Sequence, residues 1–279
     1  MKTISNIYKN LCQHMSDLEA RLILKERAQI QWSDIIATPN REIEDTQILT
    51  DLAIFKSGKP LSRIYGKREF WGLEFKVTEH TLDPRPDSET LIEAVLNRCK
   101  TRTPQTILDL GTGTGCLLLA LLSEFPEARG QGVDISGDAL CIARENAKSL
   151  GLDNRAEFIQ SNWTESVESK FDLVISNPPY IESNVIPNLD KNVKNHDPMG
   201  ALDGGNDGLD AYRTIFSGLD SILKPEGFAI FEIGFDQAET VPRLSKDYGL
   251  TPNGLYHDLA GNPRAVDIFI DEKAARKWG

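Results

Sequence analysis

The residues best suited to chemistry are Asn177-Pro178-Pro179-Tyr180, which follow the apolar run at residues 171–176. Two successive prolines fix φ and remove two backbone donors, so the carbonyl groups beside them are stiffly held and free to accept hydrogen bonds. The Asn177 side-chain oxygen and the Pro178 carbonyl oxygen can each accept one N–H of an NH2 group, while Tyr180 can stack on the planar group that carries it. This set predicts a site that orients an amide or amine nitrogen.

Such a site answers a definite chemical need. The lone pair of an amide nitrogen is delocalised into the carbonyl, so the nitrogen attacks an electrophile poorly. Two fixed acceptors orient the NH2 group, favour charge as it builds on nitrogen and hold it near the electrophile. We predict Asn177, Pro178 and Tyr180 as catalytic residues, with Pro179 beside them at the substrate. The alternative is a proline-rich turn around a core tyrosine.

A glycine-rich loop lies upstream, where Gly111-Thr112-Gly113-Thr114-Gly115 separates a short apolar run at residues 107–110 from a helical pattern at residues 116–122. Glycines are needed where the backbone turns tightly and a cofactor approaches main-chain atoms. The three glycines alternate, so the G-x-G-x-x-G fingerprint of a pyrophosphate cradle is absent. By itself the loop is also compatible with an ordinary turn.

Two further positions fit a nucleotide cofactor. Asp134, nineteen residues after Gly115, ends the next predicted strand, where a carboxylate can accept both hydroxyls of a ribose. Asn162 and Trp163 follow the strand after that and can hydrogen-bond and pack against an adenine. The alternatives are that Asp134 caps the following helix and that Trp163 is a core residue. The spacing also suits NAD, so these residues alone leave the cofactor open.

Other polar residues have two readings. Arg85, Asp87 and Glu89 could cover the cofactor, or they could belong to a helix start with Ser88 as its N-cap. Glu232 ends a predicted strand, where we expect it to support the sheet edge.

Short β-rich runs alternate with helical ones from residue 105 onward, which predicts βαβ units around a parallel sheet. The predicted strands cover residues 106–110, 132–135, 156–160, 171–176, 228–233 and 265–270. Helices are predicted at residues 138–150 and 211–223, the second ended by Pro225-Glu226-Gly227. The strands' carboxyl ends would bring the glycine loop, Asp134 and Asn177 to one crevice.

The amino-terminal part has a different pattern. Apolar residues recur there at helical spacing, and Ser16-Asp17-Leu18-Glu19 has the form of a capping box, which predicts a small helical bundle. The alternation at residues 69–77 predicts a short hairpin that links the two parts. We therefore predict one domain over residues 1–75 and a catalytic domain over residues 76–279.

Composition narrows the function classes. The formal net charge is −11, and residues 81–279 hold 19 basic against 31 acidic residues, the opposite of what nucleic-acid binding favours. The four cysteines are widely spaced without a C-x-x-C pattern, which predicts neither a disulfide nor a metal site. No apolar run approaches a signal peptide or a membrane span, so we expect a cytoplasmic protein.

At these residues the chain resembles the protein-(glutamine-N5) methyltransferases of the HemK/PrmC type, over nearly its whole length. The resemblance rests on these motifs: Tyr65-Gly66, Glu69-Phe70-Trp71-Gly72-Leu73, Pro84-Arg85-Pro86-Asp87-Ser88-Glu89, residues 109–115, Asn177-Pro178-Pro179-Tyr180, Ala201-Leu202-Asp203-Gly204-Gly205-Asn206-Asp207-Gly208-Leu209 and Tyr212-Arg213. Asn162 departs from the family's usual Asp, and Asp197-Pro198 from its usual Glu-Pro.

The resemblance implies an α/β fold: a Rossmann-like, seven-stranded class I methyltransferase domain with a reversed last strand, preceded by a helical bundle that binds the partner. It implies S-adenosylmethionine as cofactor, S-adenosylhomocysteine as product, and methylation of the glutamine in the Gly-Gly-Gln motif of peptide chain release factors. We expect the protein to act as a monomer. By motif position, the cofactor contacts would be Gly111, Thr112, Gly113, Thr114, Gly115, Asp134, Trp163 and Asn177.

Two other functions stay open at this point. An adenine-N6 nucleic-acid methyltransferase shares Asn-Pro-Pro-Tyr, but the acidic catalytic region and the lack of a basic, aromatic-interleaved segment disfavour it. A non-catalytic binding module of the same fold is disfavoured by the intact motif. Methyl transfer to a release factor, to DNA or to neither would separate the three.

Overall fold

The computed structural model describes residues 1–271, which form two compact units, Met1–Gly66 and the chain from Lys67 onward. The sequence predicted a boundary after residue 75, and the observed one precedes the hairpin. Phe70 and Phe75, on its two strands, are 1 % and 0 % exposed and belong to the apolar core of the second unit. The hairpin is therefore part of the second unit.

The first unit is the expected helical bundle. It consists of α1 (Ile4–Leu11), α2 (Asp17–Ala28), α3 (Trp32–Ala37), α4 (Thr46–Lys56) and α5 (Leu61–Tyr65), with a short antiparallel ladder of β1 (Lys2–Thr3) and β2 (Glu42–Ile43). The predicted capping box is confirmed: the Ser16 hydroxyl accepts from the Glu19 amide, and the Glu19 carboxylate accepts from the Ser16 amide. Its interior is aliphatic and includes Ile4, Ile7, Leu11, Ile23, Leu24 and Ile48.

The second unit holds the following strands and helices. The strands are β3 (Lys67–Phe70), β4 (Leu73–Lys76), β5 (Thr106–Leu110), β6 (Arg129–Asp134), β7 (Ala156–Gln160), β8 (Phe171–Ser176), β9 (Leu223–Glu232), β10 (Thr251–His257) and β11 (Pro263–Phe269). The α-helices are α6 (Glu89–Arg98), α7 (Cys116–Glu124), α8 (Gly137–Ser149), α9 (Lys191–His196), α10 (Asp210–Ile222) and α11 (Thr240–Asp247).

A mixed sheet forms the centre of this unit. Within residues 1–271 it has seven strands, in the order β10-β11-β9-β8-β5-β6-β7, and β3 pairs with β4 as the hairpin. The five adjacent strands β9, β8, β5, β6 and β7 are parallel to one another, whereas β11 runs antiparallel to both β9 and β10. The predicted α/β class and the reversed last strand are confirmed.

Helices cover both faces of the sheet. Because side chains alternate across a strand, β5 sends Ile107 to the face covered by α6, α7 and α8, and sends Leu108 and Leu110 to the face covered by α10 and α11. None of the helices within residues 1–271 is both long and apolar enough to span a bilayer. With both faces covered, ligands reach this unit at the strand ends.

The strand β9 differs from the sequence prediction. It begins at Leu223, so Pro225-Glu226-Gly227 lies inside the strand instead of between helix and strand. The partners of Phe171 and Leu173 on β8 are Leu223 and Phe228, so the residues between the two pairs form a bulge. Proline is tolerated at such a bulge because no ladder hydrogen bond is lost.

The strand β10 was not predicted. Pro252 and Gly254 interrupt any strand-like alternation, and the ladder to β11 shifts register between these two residues. Strand β11 supplies the regular edge on which this irregular strand forms.

Candidate active site

The glycine loop joins β5 to α7 at the carboxyl edge of the sheet. Gly111, Gly113 and Gly115 have φ of 73°, 54° and 80°, values that residues with a Cβ rarely adopt. A Cβ on Gly113 would meet nothing within 4 Å, whereas one on Gly111 would lie 3.3 Å from Trp163. The loop thus presents open backbone at Gly113.

The threonines of the loop face the protein interior. Thr112 and Thr114 are 4 % and 2 % exposed, and the Thr112 hydroxyl donates to Asp109 at 2.6 Å. Asp109 is completely buried, and burial raises its pKa to about 7. The two threonines therefore offer a cofactor their backbone rather than their hydroxyl groups.

Asp134 ends β6 directly beside the loop. Its carboxylate accepts the amide of Gly113 at 2.9 Å with one oxygen and the amide of Ser136 at 2.9 Å with the other. The alternative of a capping role is wrong, because Ser136 is the N-cap of α8. Burial raises the pKa of Asp134. A carboxylate oxygen accepts more than one hydrogen bond, so both oxygens keep a lone pair for a ligand.

Trp163 and Asn162 stand on the segment after β7. The Ser161 amide donates to the Asp134 carbonyl at 3.0 Å, which joins this segment to β6. The Trp163 ring, half-buried, packs beside Gly111. The Asn162 NH2 group donates to Glu165 at 2.7 Å, so its carbonyl oxygen is the end left to accept.

The motif Asn177-Pro178-Pro179-Tyr180 follows β8, one strand away from the β5–β6 pair. The Ser176 hydroxyl donates to the Leu110 carbonyl at 2.7 Å, which ties the start of the motif to the start of the glycine loop. Pro178 is buried, and Gln237 donates to the Tyr180 carbonyl at 3.3 Å. The cofactor-type and substrate-type residues predicted from sequence therefore converge on one edge of the sheet.

A second glycine-rich loop, at residues 201–209, holds the motif in place. The Gly204 amide donates to the Ile181 carbonyl at 2.8 Å. A Cβ on Gly204 would lie 2.8 Å from the Tyr180 Cα and 2.9 Å from the Pro179 oxygen, closer than real Cβ atoms come. Glycine at this position lets two backbones touch.

A buried carboxyl group lies next to the motif. Glu232, at the end of β9, is 1 % exposed and accepts from the Ser88 hydroxyl at 2.5 Å and from the Tyr180 hydroxyl at 3.3 Å. Ser88 in turn accepts from the Asn177 NH2 group at 3.2 Å. Burial raises the pKa of Glu232 to about 7, with Ser88 and then Arg264 opposing the increase.

This arrangement has little signal in the sequence. The strand pattern predicts only that Glu232 supports the sheet edge, and the start of the helical pattern makes Ser88 a candidate N-cap. Ser88 makes no capping hydrogen bond; its hydroxyl instead donates to Glu232 and accepts from Asn177. A glutamate at the end of the apolar run at residues 228–231 was the available signal.

Asn177, Tyr180 and Glu232 line a cleft of about 300 Å³. Its remaining lining residues are Leu82, Arg85, Pro86, Asp87, Ile181, Leu189, Val193, Ala201, Leu202 and Arg264. Arg85 pairs with Asp197 at 2.5 Å. Glu89 accepts the Trp71 amide at 2.8 Å and so holds the hairpin rather than the cleft.

The cleft is suited to binding a planar polar group. It combines the Asn177 amide and the Tyr180 ring with aliphatic walls and four acidic or basic side chains, and none of the lining residues within residues 1–271 is a Ser, Cys or Lys. Such a site orients a ligand by hydrogen bonds and stacking and offers it no covalent nucleophile of those kinds.

Proteins of similar sequence are methyltransferases. The family described as Methyltransferase small domain matches residues 83–193. The chain is 41% identical over 256 residues to the release factor glutamine methyltransferase of Agrobacterium fabrum, covering 89% of each chain. It is 44% identical over 247 residues to the release factor glutamine methyltransferase of Rhodospirillum rubrum, covering 87% of this chain and 74% of the relative.

A solved structure shares the fold at low identity. The 16S rRNA N2 G1207 methyltransferase of T. thermophilus, solved with AdoMet and guanosine, aligns with a TM-score of 0.52 and 17% identity over 74% of this chain and 50% of its own. Together with the strand order, this similarity shows the class I methyltransferase fold.

Proposed function

We propose that this chain, which belongs to the release factor glutamine methyltransferase family, transfers a methyl group from S-adenosylmethionine to a glutamine side-chain nitrogen (N5). The glutamine is the one in the Gly-Gly-Gln motif of peptide chain release factors. The observation that carries the proposal is the cleft in which Asn177 and Tyr180 lie at the carboxyl edge of the sheet, beside the glycine loop.

The residues around the glycine loop fit S-adenosylmethionine. The space at Gly113 leaves the backbone accessible, and the Asp134 carboxylate is held by two amides with a lone pair left on each oxygen for the ribose hydroxyls. Trp163 packs beside Gly111, where an aromatic face can contact the adenosine. The backbone of Thr112, Thr114 and Gly115 and the side chain of Asn177 complete the proposed contacts. When bound, this cofactor supplies an electrophilic methyl group on a positively charged sulfur.

The protein's part in the reaction is to orient the glutamine amide. The Asn177 NH2 group is used on Ser88, so its carbonyl oxygen is the end left to accept one N–H of the substrate. The Pro178 carbonyl is proposed to accept the other, and the Tyr180 ring to stack on the amide plane. Both acceptors favour the nitrogen as it gains positive charge, so they stabilise the transition state more than the ground state.

The first unit is proposed to bind the release factor away from its glutamine. The bundle is separate from the methyltransferase fold as a compact unit, which suits a division between partner binding and chemistry. We further propose a monomer that works in the cytoplasm, where translation termination takes place, without direct contact to nucleic acid or membrane.

The test is a methyl-transfer assay with labelled S-adenosylmethionine. Purified unmethylated release factor is offered beside duplex and single-stranded DNA, and the Asn177→Ala variant serves as the control. We expect label on the Gly-Gly-Gln glutamine and a loss of about 100-fold or more in the variant. Label on adenine would identify a nucleic-acid methyltransferase, and cofactor binding without transfer to either substrate would identify a binding module.

A further inference from the structure

The Asn177 amide is the end of a chain of buried polar groups that starts at Glu232. Glu232 and Ser88 are 1 % and 3 % exposed, and they come from the end of β9 and the start of α6. The hydrogen bonds run from Asn177 to Ser88 at 3.2 Å and from Ser88 to Glu232 at 2.5 Å. A second branch runs from Tyr180 to Glu232 at 3.3 Å.

The polarity of this chain follows from the chemistry of its members. An ionised carboxylate only accepts, and a hydroxyl has a single hydrogen to donate. Once Ser88 donates to Glu232, its oxygen faces Asn177 with lone pairs alone. Asn177 must then turn its NH2 group towards Ser88 and its carbonyl oxygen away from it. The reverse amide orientation would place two lone pairs against each other.

We propose that Glu232 and Ser88 are positioning residues that keep the carbonyl oxygen of Asn177, rather than its NH2 group, available to the substrate, while Glu232 also fixes the Tyr180 ring. This inference rests on the proposed function for its kinetic consequence. Its structural content, the fixed amide orientation of Asn177, is independent of the substrate. An NH2 group turned into the cleft would face the substrate NH2 donor to donor, and the hydrogen bond would be lost.

The ionisation of Glu232 controls the direction of the hydrogen bonds in this chain of polar groups. A protonated Glu232 can donate to Ser88, which frees the Ser88 hydrogen to point at the Asn177 oxygen and reverses the amide. The carboxyl is faced by Ser88 from the start of α6, Tyr180 from the motif, Arg264 from β11, which favours the ionised form, and Asp87, which opposes it. Cys116 at the start of α7 and Tyr212 on α10 also interact with it electrostatically. On its own strand end, the Glu232 backbone carbonyl accepts the Tyr212 hydroxyl at 2.7 Å.

The first experiment is kinetic. Glu232→Gln keeps the shape of the side chain but removes its charge at every pH, and Ser88→Ala removes the link while leaving Glu232. For Glu232→Gln we expect kcat to fall about 100-fold, with KM for the release factor changed about twofold at most. For Ser88→Ala we expect kcat to fall about tenfold. Glu239→Gln, at an exposed glutamate beyond the site, should behave as the wild type.

The pH profile separates positioning from a merely structural role. Because the working form is ionised, wild-type kcat should rise with pH through the pKa of Glu232, about 7. Glu232→Gln should lose this limb. Thermal unfolding and S-adenosylmethionine affinity, measured on the same samples, show that the variants are folded. A folded Glu232→Gln protein with the wild-type kcat and pH profile would overturn the inference.

The second experiment needs no turnover. The side-chain NH2 signals of Asn177, assigned by NMR through their absence in Asn177→Ala, should shift with pH around the same midpoint in the wild type. They should stop titrating in both Glu232→Gln and Ser88→Ala. If the wild type fails to methylate a release factor but these signals titrate, the proposed function fails and the positioning inference stands. Signals that do not titrate in an active wild type would refute the inference alone.

Discussion

At the scale of single residues, the site depends on backbone that only glycine supplies and on side chains held by buried partners. Gly113 offers space and an amide that orients Asp134. Asn177 offers an oxygen whose direction depends on Ser88. The contribution of each residue depends on the space or the hydrogen-bonding atom that its neighbours leave free. A small substitution should therefore affect one property at a time.

Gly113 and Gly151 make this separation measurable. Both have positive φ, of 54° and 68°, and neither would have an atom within 4 Å of an added Cβ. Alanine at either position should cost about 1 kcal/mol of stability because of backbone strain alone. Only Gly113→Ala should also weaken S-adenosylmethionine binding, by about tenfold or more, because its methyl group enters the proposed cofactor space. Calorimetric titration and thermal unfolding of both variants check this, and equal cofactor affinities would contradict the proposed site.

Sequence alone was informative about residues whose signal is local. Gly111, Asp134 and Asn177 stand at predicted strand ends, and the parallel sheet brings strand ends together. Ser88 and Glu232 are 144 residues apart, and nothing in either neighbourhood indicates that they meet. Their pairing depends on the packing of α6 against β9, which no local pattern encodes.

At the scale of elements, too, local sequence signals could be predicted and contacts between distant segments could not. The strands β5, β7 and β8 could be predicted because each is a short run bounded by turn residues, and the structure gives them the expected bounds. Strand β10 was missed because Pro252, Asn253 and Gly254 have low strand propensity, and its partner β11 supplies the order. The loop at residues 201–209 resembled the family's, but its contact with the Tyr180 backbone became visible only in three dimensions.

Gly204 and Gly200 test how that loop supports the motif. A Cβ on Gly204 would press on the Tyr180 backbone, whereas one on the exposed Gly200 would meet nothing within 4 Å. Gly204→Ala should displace Pro179 and Tyr180 and lower kcat about tenfold to 100-fold. S-adenosylmethionine affinity should change little, because none of the atoms nearest to the added Cβ belongs to Asn177. Gly200→Ala should resemble the wild type. A normal kcat in Gly204→Ala, measured by methyl transfer to the release factor, would show that the motif does not need this contact.

At the scale of the whole molecule, two compact units divide the chain at Gly66 and Lys67. The predicted boundary missed this position because an amphipathic hairpin looks the same in sequence whether it links two units or packs into one of them. Burial of Phe70 and Phe75 assigns it to the methyltransferase unit. The position of the boundary decides which truncation leaves a folded enzyme.

Two truncations should therefore behave differently. Removing residues 1–66 should leave S-adenosylmethionine affinity within about twofold and raise KM for the release factor about tenfold or more, because the proposed partner-binding unit is lost. Removing residues 1–75 deletes Phe70 and Phe75 and should cost several kcal/mol of stability, about 3 or more for each buried ring. Thermal unfolding and cofactor titration on both proteins provide the test. A free peptide with Gly-Gly-Gln should be methylated equally by the full chain and by the protein that lacks only residues 1–66.

The buried carboxyl group of Glu232 also links proton uptake to the energy of the fold. Its pKa of about 7 lies above the ordinary value of 4.5, and that of Asp109 is raised to about 7 as well. Between pH 7 and the ordinary pKa values of these two groups, the folded protein binds protons that the unfolded protein releases. Their contribution to stability therefore grows as pH falls through 7, and it levels off below the pKa values of the unfolded protein. Turnover, by contrast, needs Glu232 ionised. The ionised form of Glu232, which turnover requires, is thus the form in which the folded protein is less stable.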